Sequence, residues 1–313
     1  LSVGGVLALV AVIRAMVSVF QPAEFRVIGR KVTPEEQPAL WAVVREVCQQ
    51  LNAVPPDNII VGLEPSFYVT ESEVTCTDGT LQGRTLFVSS TMNRVLTPDE
   101  FKGIIGHEMA HFIGEDTIFS RRFFPVYRGT LTALHNLQQN AVHGSIAIAQ
   151  MPAVMFLVYF YESFVTSEKN LSRLREVEAD AVGAKVGGAE SFATALVKVH
   201  AYSDGWQKIL EDVHYNNEAL RTETNLARPF VERARATPPE EMAKVGESHV
   251  FHPADSHPAL AVRLATLQTE LSKVVPVTTL PAPADSAAAL ISGIDELETA
   301  QTEEFRRLVR PAA

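Results

Sequence analysis

The chain has 313 residues, 46% hydrophobic and 20% charged, and its 27 basic and 37 acidic side chains give a formal charge of −10. This apolar share excludes a mostly disordered chain, and the acidic balance argues against a nucleic-acid binder, which needs a basic face. Two cysteines are too few for a disulfide framework or a four-thiolate zinc site.

The first twenty residues are an apolar stretch whose only charge is Arg14. A helix of about twenty residues spans about 30 Å, the thickness of the hydrocarbon core of a bilayer. We therefore expect a membrane anchor helix at 1–20, with a signal peptide and a buried core helix as the alternatives. Arg26, Arg30 and Lys31 follow the stretch, so the positive-inside rule predicts a catalytic domain on the cytoplasmic side of an inner or plasma membrane.

A helix and several short strands are predicted next. Thr33-Pro34-Glu35-Glu36 is typical of a helix start, and the helix is expected to run to about Asn52. Three runs rich in β-branched and aromatic residues then predict a small sheet. The predicted strands are 58–63, 66–70 and 85–89.

Thr97 and Glu100 have the spacing of a capping box and predict the start of a second helix. Helices are then expected nearly throughout to Val274, which gives a main domain at 21–274. A Pro/Ala-rich linker is predicted from Val275 and a polar helix or tail after it, so that 275–313 form a C-terminal appendage. The acidic stretch Asp295 to Glu304 is expected to be a solvated face.

The second predicted helix carries the sequence His107-Glu108-Met109-Ala110-His111. Positions i and i+4 lie on one face of a helix, so the two imidazoles are placed to bind a single Zn²⁺. Glu108 lies about 100° from His107 and is expected to act as general base on a metal-activated water. The alternative is a helix with two surface histidines.

Two histidines leave zinc short of a third protein ligand, and the segment from Ser172 to Asp180 offers three acids. Glu176 and Asp180 share one helical face, whereas Glu178 lies about 200° from Glu176. We predict Glu176 as the third ligand, Asp180 as the residue that orients a ligand histidine, and Glu178 as a solvated acid. The alternative is an ordinary charged helix face.

Taken together, HEMAH, SRLREVEAD and Ser256-His257-Pro258 with Arg263 resemble the HtpX-like and CAAX-type prenyl-protein zinc endopeptidases of membranes. The resemblance covers roughly 34–267. It implies a zincin-type fold of the α+β class, predominantly helical, with the small sheet next to the HExxH helix. It also implies that Glu176 is the third ligand.

The same resemblance implies that His257 lies near the metal, as a transition-state stabiliser or a removable fourth ligand. A plain surface histidine that caps a helix is the alternative for His257. Arg263 is open between a salt bridge and an oxyanion contact. The resemblance further implies that 85–90 is the edge strand to which an extended peptide substrate adds.

A site shared by His107 and Glu176 constrains the topology, because the chain between them must cross a bilayer an even number of times. Only one strong apolar run, 146–165, lies in this interval. We therefore expect that run to be a non-spanning helix, buried in protein or lying at the membrane interface. The alternative is a poor spanning hairpin that it forms with 123–143. The resemblance implies two spanning helices there, so the expectation of a non-spanning helix departs from the family pattern.

These inferences predict a membrane-associated endopeptidase with one Zn²⁺ per chain that acts on extended peptide or protein substrates. The resemblance implies a role in membrane-protein quality control. Glu108, Asp180 and His257 are its expected catalytic residues, and His107, His111 and Glu176 its metal ligands. Membrane lipid is an expected partner and nucleic acid is not. The alternative function is a non-proteolytic zinc-binding membrane adaptor or scaffold with the same fold.

Overall fold

The computed structural model describes residues 25–114, 173–214, 218–244 and 258–309, together with Met155, Val158 and Tyr159. The predicted anchor at 1–20, most of the 146–165 run and His257 lie outside these described residues. Met155, Val158 and Tyr159 have helical backbone and exposed side chains. Within the described ranges, no helix combines the length and the apolarity that crossing a membrane requires.

The described residues form a predominantly helical α+β fold, as predicted, with two small sheets. The strands are β1 Phe25–Arg26, β2 Gly29–Val32, β3 Asn58–Gly62, β4 Tyr68–Thr70, β5 Val74–Cys76, β6 Gly79–Leu81 and β7 Thr85–Ser89. One sheet has the order β2-β3-β7-β4, in which β3 and β7 are parallel and both outer pairs are antiparallel. The other has the order β1-β5-β6.

The expectation that 85–90 forms the edge of the sheet is wrong. Strand β7 is paired with β3 on one side and with β4 on the other, so the edge strands of this sheet are β2 and β4. All five residues of β7 are buried, which is typical of a strand covered on both faces, whereas β4 is only half-buried. Strand order depends on pairing between distant segments, which a local sequence pattern does not contain.

Helices cover most of the remaining described chain. They are α1 Pro38–Leu51, α2 Ser90–Asn93, α3 Pro98–Ile113, α4 173–187, α5 Ala189–His214, α6 Glu218–Thr222, α7 Ala227–Ala236, α8 Pro239–Lys244, α9 Leu260–Thr266, α10 Leu271–Val274 and α11 Ile294–Val309. Short 3₁₀ turns lie at Val275–Val277, Pro283–Asp285 and Ala287–Leu290.

Helix α1 begins at Pro38. The prediction that it begins at Thr33 is wrong. Thr33 and Glu36 do cap each other: the Glu36 amide donates to the Thr33 hydroxyl, and the Thr33 amide donates to the Glu36 carboxylate. They close an isolated turn, because a proline disfavours helical backbone at the residue before it, and Gln37 has φ −130° and ψ 63°.

The core lies between the four-stranded sheet and the helices on one of its faces. Alternate residues of a strand point to opposite faces, so Leu86 and Val88 of β7 face the helices, while Phe87 faces the second sheet. Helices α1, α3 and α5 contribute buried side chains to the helical layer. The helix with the HExxH sequence is therefore held between the sheet and other helices.

The C-terminal segment is packed against this core, contrary to the prediction of a linker. Ala287 and Ala288 are buried in the 3₁₀ turns, and the Ala287 amide donates to the Leu96 carbonyl.

The acidic stretch on helix α11 is solvated as predicted, except at one residue. Asp295, Glu296 and Glu303 are exposed, whereas Glu298 is completely buried. Arg94 and Asn225, both distant in sequence, donate to the Glu298 carboxylate and so compensate its burial.

Candidate metal centre

Helix α3 begins with the predicted capping box. The Glu100 amide donates to the Thr97 hydroxyl, and the Thr97 amide donates to the Glu100 carboxylate. That carboxylate is buried and also accepts hydrogen bonds from Thr194 and Lys198 of α5, each at 2.7 Å. The start of the HExxH helix is therefore tied to its neighbour as well as capped.

Glycines allow α3 and α4 to cross with their backbones nearly in contact. A Cβ atom added at Gly183 would lie 2.8 Å from the Gly103 carbonyl oxygen, and one added at Gly187 would lie 2.6 Å from the Gly103 Cα atom. Glu176 and Asp180 precede these glycines on the same face of α4. The close crossing therefore brings both acids within reach of the histidines on α3.

Three predicted ligands converge from these two helices. The Nε2 atoms of His107 and His111 lie 3.2 Å apart. The Glu176 carboxylate lies 3.6 Å from the Nε2 atom of His107 and 3.5 Å from that of His111. All three side chains are largely buried. Within the described ranges, they form the group whose donor atoms lie close enough to one another to bind a single metal ion.

The donor set fits a tetrahedral zinc ion. Bonds of about 2.0–2.1 Å at tetrahedral angles place ligand atoms about 3.3–3.4 Å apart, and the observed separations are 3.2, 3.5 and 3.6 Å. Two imidazoles and one carboxylate are also the ligand types of catalytic zinc sites, which keep one position open.

Asp180 contacts the other side of the His107 ring. Its Oδ1 atom lies 3.0 Å from the Nδ1 atom of His107, and Asp180 is fully buried. Burial lowers the pKa of His107 to about 4, although the contact with Asp180 acts in the opposite direction. The ring is therefore neutral near pH 7, which is the form that binds a metal.

Arg263 of α9 is paired with Asp180. Its Nε and Nη2 atoms donate to the two oxygens of that carboxylate at 2.9 and 2.5 Å, and Nη2 lies 4.0 Å from Glu176. Burial raises the pKa of Asp180, but the hydrogen bonds from Arg263 and His107 outweigh it and hold the pKa below its usual range. Of the two roles left open for Arg263, the structure shows the salt bridge.

Two other acids of the motifs are placed differently from each other. Glu108 is buried next to His107, whereas Glu178 is exposed.

Sequence reasoning missed Phe192, whose ring stacks on that of His107 with centroids 5.9 Å apart, and it missed the glycines at the crossing. The four-residue spacing of Gly183 and Gly187 was a signal for close helix packing, while nothing local indicated Phe192.

The edge strand β4 runs beside the HExxH helix. At its start, the ring of Phe67 lies 6.1 Å from that of Phe101 in the first turns of α3. Past its end, Glu71 lies 3.8 Å from Arg84, whose guanidinium covers the Phe112 ring at 4.2 Å, next to His111. The segment 67–71, which contains β4, therefore lies beside the helix between Phe101 and Phe112.

Comparisons with known proteins agree with this arrangement. Residues 35–271 match peptidase family M48. The protease HtpX homolog of Pyrobaculum calidifontis is 26% identical over 274 residues, which cover 84% of this chain and 76% of that protein. The homolog of Archaeoglobus fulgidus is 23% identical over 237 residues, covering 74% and 67%.

A bacterial relative, the protease HtpX homolog of Burkholderia cenocepacia strain HI2424, is 27% identical over 196 residues, which cover 56% of this chain and 61% of that protein. No solved structure matches the chain. The family match spans most of the chain, includes both helices of the candidate site and confirms the resemblance drawn from the motifs. The chain belongs to peptidase family M48, a family of metallopeptidases.

Proposed function

We propose that this metallopeptidase is a zinc-dependent endopeptidase whose ligands are His107, His111 and Glu176. The observation that carries the proposal is the convergence of these three donor groups at the separations of a tetrahedral site. A bound zinc ion would supply Lewis-acid polarisation of a water molecule and of the substrate carbonyl.

Glu108 would be the general base. It precedes His111 on the same helix and is buried beside the ligands, where a carboxylate is placed to take a proton from attacking water. The same group would then deliver that proton to the departing amine. Asp180 would keep the Nδ1 atom of His107 engaged, so that the Nε2 atom stays directed at the cluster.

The substrate would bind as an added strand on β4, an edge strand that lies beside α3. Backbone pairing gives affinity with little demand on side chains, which suits an enzyme for extended segments of unfolded proteins. The apolar stretch at 1–20 supports a membrane setting, and the resemblance to the HtpX-like endopeptidases implies membrane-protein quality control. His257 would assist as a transition-state stabiliser.

The test is hydrolysis of casein by the full chain after chelation and after zinc is restored. We expect activity only with metal, and loss of activity with retained zinc in Glu108→Gln. The exposed Glu178→Gln is the matched control and should be active. Casein cleavage by Glu108→Gln at the wild-type rate would contradict the proposal, and a zinc-binding wild-type chain without any cleavage would favour the adaptor.

A further inference from the structure

We infer that Arg263 is a positioning residue of the metal centre, which fixes the ring of His107 through the carboxylate of Asp180. The inference rests on the proposed metal site and assigns a task to a residue that is not itself a ligand. Arg263 belongs to α9, whereas the ligands belong to α3 and α4. Three separate segments of the chain would thus set the geometry of one ligand.

The contacts form a continuous relay. The guanidinium engages both oxygens of Asp180, Nε at 2.9 Å and Nη2 at 2.5 Å, so the carboxylate cannot rotate without losing a hydrogen bond. The Oδ1 atom of Asp180 then meets the Nδ1 atom of His107 at 3.0 Å. Because the ring is rigid, holding Nδ1 also fixes the direction in which Nε2 points.

Burial makes this relay hard to replace. The side chains of Arg263 and Asp180 are 5% and 0% exposed, so bulk water does not substitute for a lost donor. The Nη2 atom also lies 4.0 Å from Glu176, which places one guanidinium beside both acids on the inner face of α4. A planar fork is needed for this arrangement, and a lysine ammonium does not reproduce it.

A purely structural role is the competing explanation, in which the ion pair only holds α9 against α4. Arg94 provides a matched control for that role. Its Nε and Nη2 atoms form the same kind of fork with the fully buried Glu298, at 2.6–3.0 Å, and its other partner is Asp295. Arg94→Lys therefore imposes the same chemical change on an ion pair outside the ligand cluster.

The experiment compares Arg263→Lys with Arg94→Lys in the full chain. The readouts are the zinc dissociation constant by competition with a chromophoric chelator, the visible spectrum of the Co²⁺-substituted protein and the Tm of the metal-free protein. We expect Arg263→Lys to weaken zinc binding about 10- to 100-fold and to change the Co²⁺ spectrum. Arg94→Lys should lower Tm but leave the dissociation constant within about twofold of wild type.

Unchanged zinc affinity and an unchanged Co²⁺ spectrum in Arg263→Lys would overturn the inference, as would equal losses of affinity in both variants. If Arg263→Lys does not fold, the double variant Asp180→Asn with Arg263→Met removes both buried charges together and avoids an unpaired ion. It should fold and bind zinc weakly, and wild-type affinity in it would overturn the inference. Absence of peptidase activity in the wild-type chain would contradict only the proposed function.

Discussion

Two buried clusters in this protein, each built around a glutamate, differ in how their polar atoms are satisfied. Around Glu298, Arg94 and Asn225 both donate hydrogen bonds to the carboxylate. Around Glu176, the Nε2 atoms of two imidazoles lie 3.2 Å apart, and each lies 3.5–3.6 Å from an oxygen of the carboxylate. Complementary charges stabilise the fold, whereas converging lone pairs need a cation to hold them together.

The largest expected effect on stability comes from removing Glu298, the acceptor that Arg94 and Asn225 share. Glu298→Ala leaves Asn225 without its buried acceptor and leaves Arg94 with Asp295 as its remaining carboxylate partner, and it should destabilise the protein by about 3–4 kcal/mol. Chemical denaturation of the metal-free protein measures this loss. Zinc affinity of the folded protein should stay near that of wild type, and a large change in it would show that the two clusters are not independent.

In the metal cluster, burial of His107 should make the stability of the metal-free protein depend on pH. Burial lowers the pKa of His107 to about 4 from about 6.5 in the unfolded chain, so the unfolded state binds more protons between these values. The metal-free protein should therefore lose stability as pH falls from about 6.5 to about 4, by up to ~3 kcal/mol.

Denaturation of wild type beside His107→Gln across this pH range measures the contribution. The variant should show a flatter profile, because glutamine does not titrate. Identical profiles for the two proteins would mean that His107 is protonated equally in the folded and unfolded states.

A smaller but more specific effect is expected at the helix crossing. In Gly187→Ala the added Cβ would meet backbone atoms of Gly103 and Asp99 within 2.7 Å, so α3 and α4 must separate. We expect a loss of about 1–3 kcal/mol together with weaker zinc binding.

Gly205→Ala is the control for that substitution, since a Cβ added there meets no atom within 4 Å. Chemical denaturation measures the free energy of unfolding of both variants, and zinc titration measures their affinity for zinc. If Gly187→Ala were as stable as wild type and bound zinc equally well, the crossing would not be what places Glu176.

The parts of the site that could be predicted from the sequence are those encoded by local spacing. Helical periodicity predicts the capping box at Thr97, the shared face of His107 and His111, and the shared face of Glu176 and Asp180. Of the three acids at 176, 178 and 180, Glu178 is the exposed one, as its position on the opposite side of the helix predicts.

The parts that could not be predicted depend on contacts between distant segments. The edge position of β4, the burial of Glu298 and the fork between Arg263 and Asp180 join residues that no local pattern connects. The start of α1 could not be predicted for a different reason. The capping pattern at Thr33 is present, but a proline at position 38 disfavours helical backbone at the residue before it, so the helix begins only at Pro38.

The central claim is that three side chains from α3 and α4 bind one metal ion, and metal analysis of the purified chain tests it most directly. Wild type should hold one zinc per chain, whereas Glu176→Ala should lose it and Glu178→Ala should retain it. Stoichiometric zinc in Glu176→Ala, or the absence of zinc from wild type after dialysis against the metal, would contradict the account.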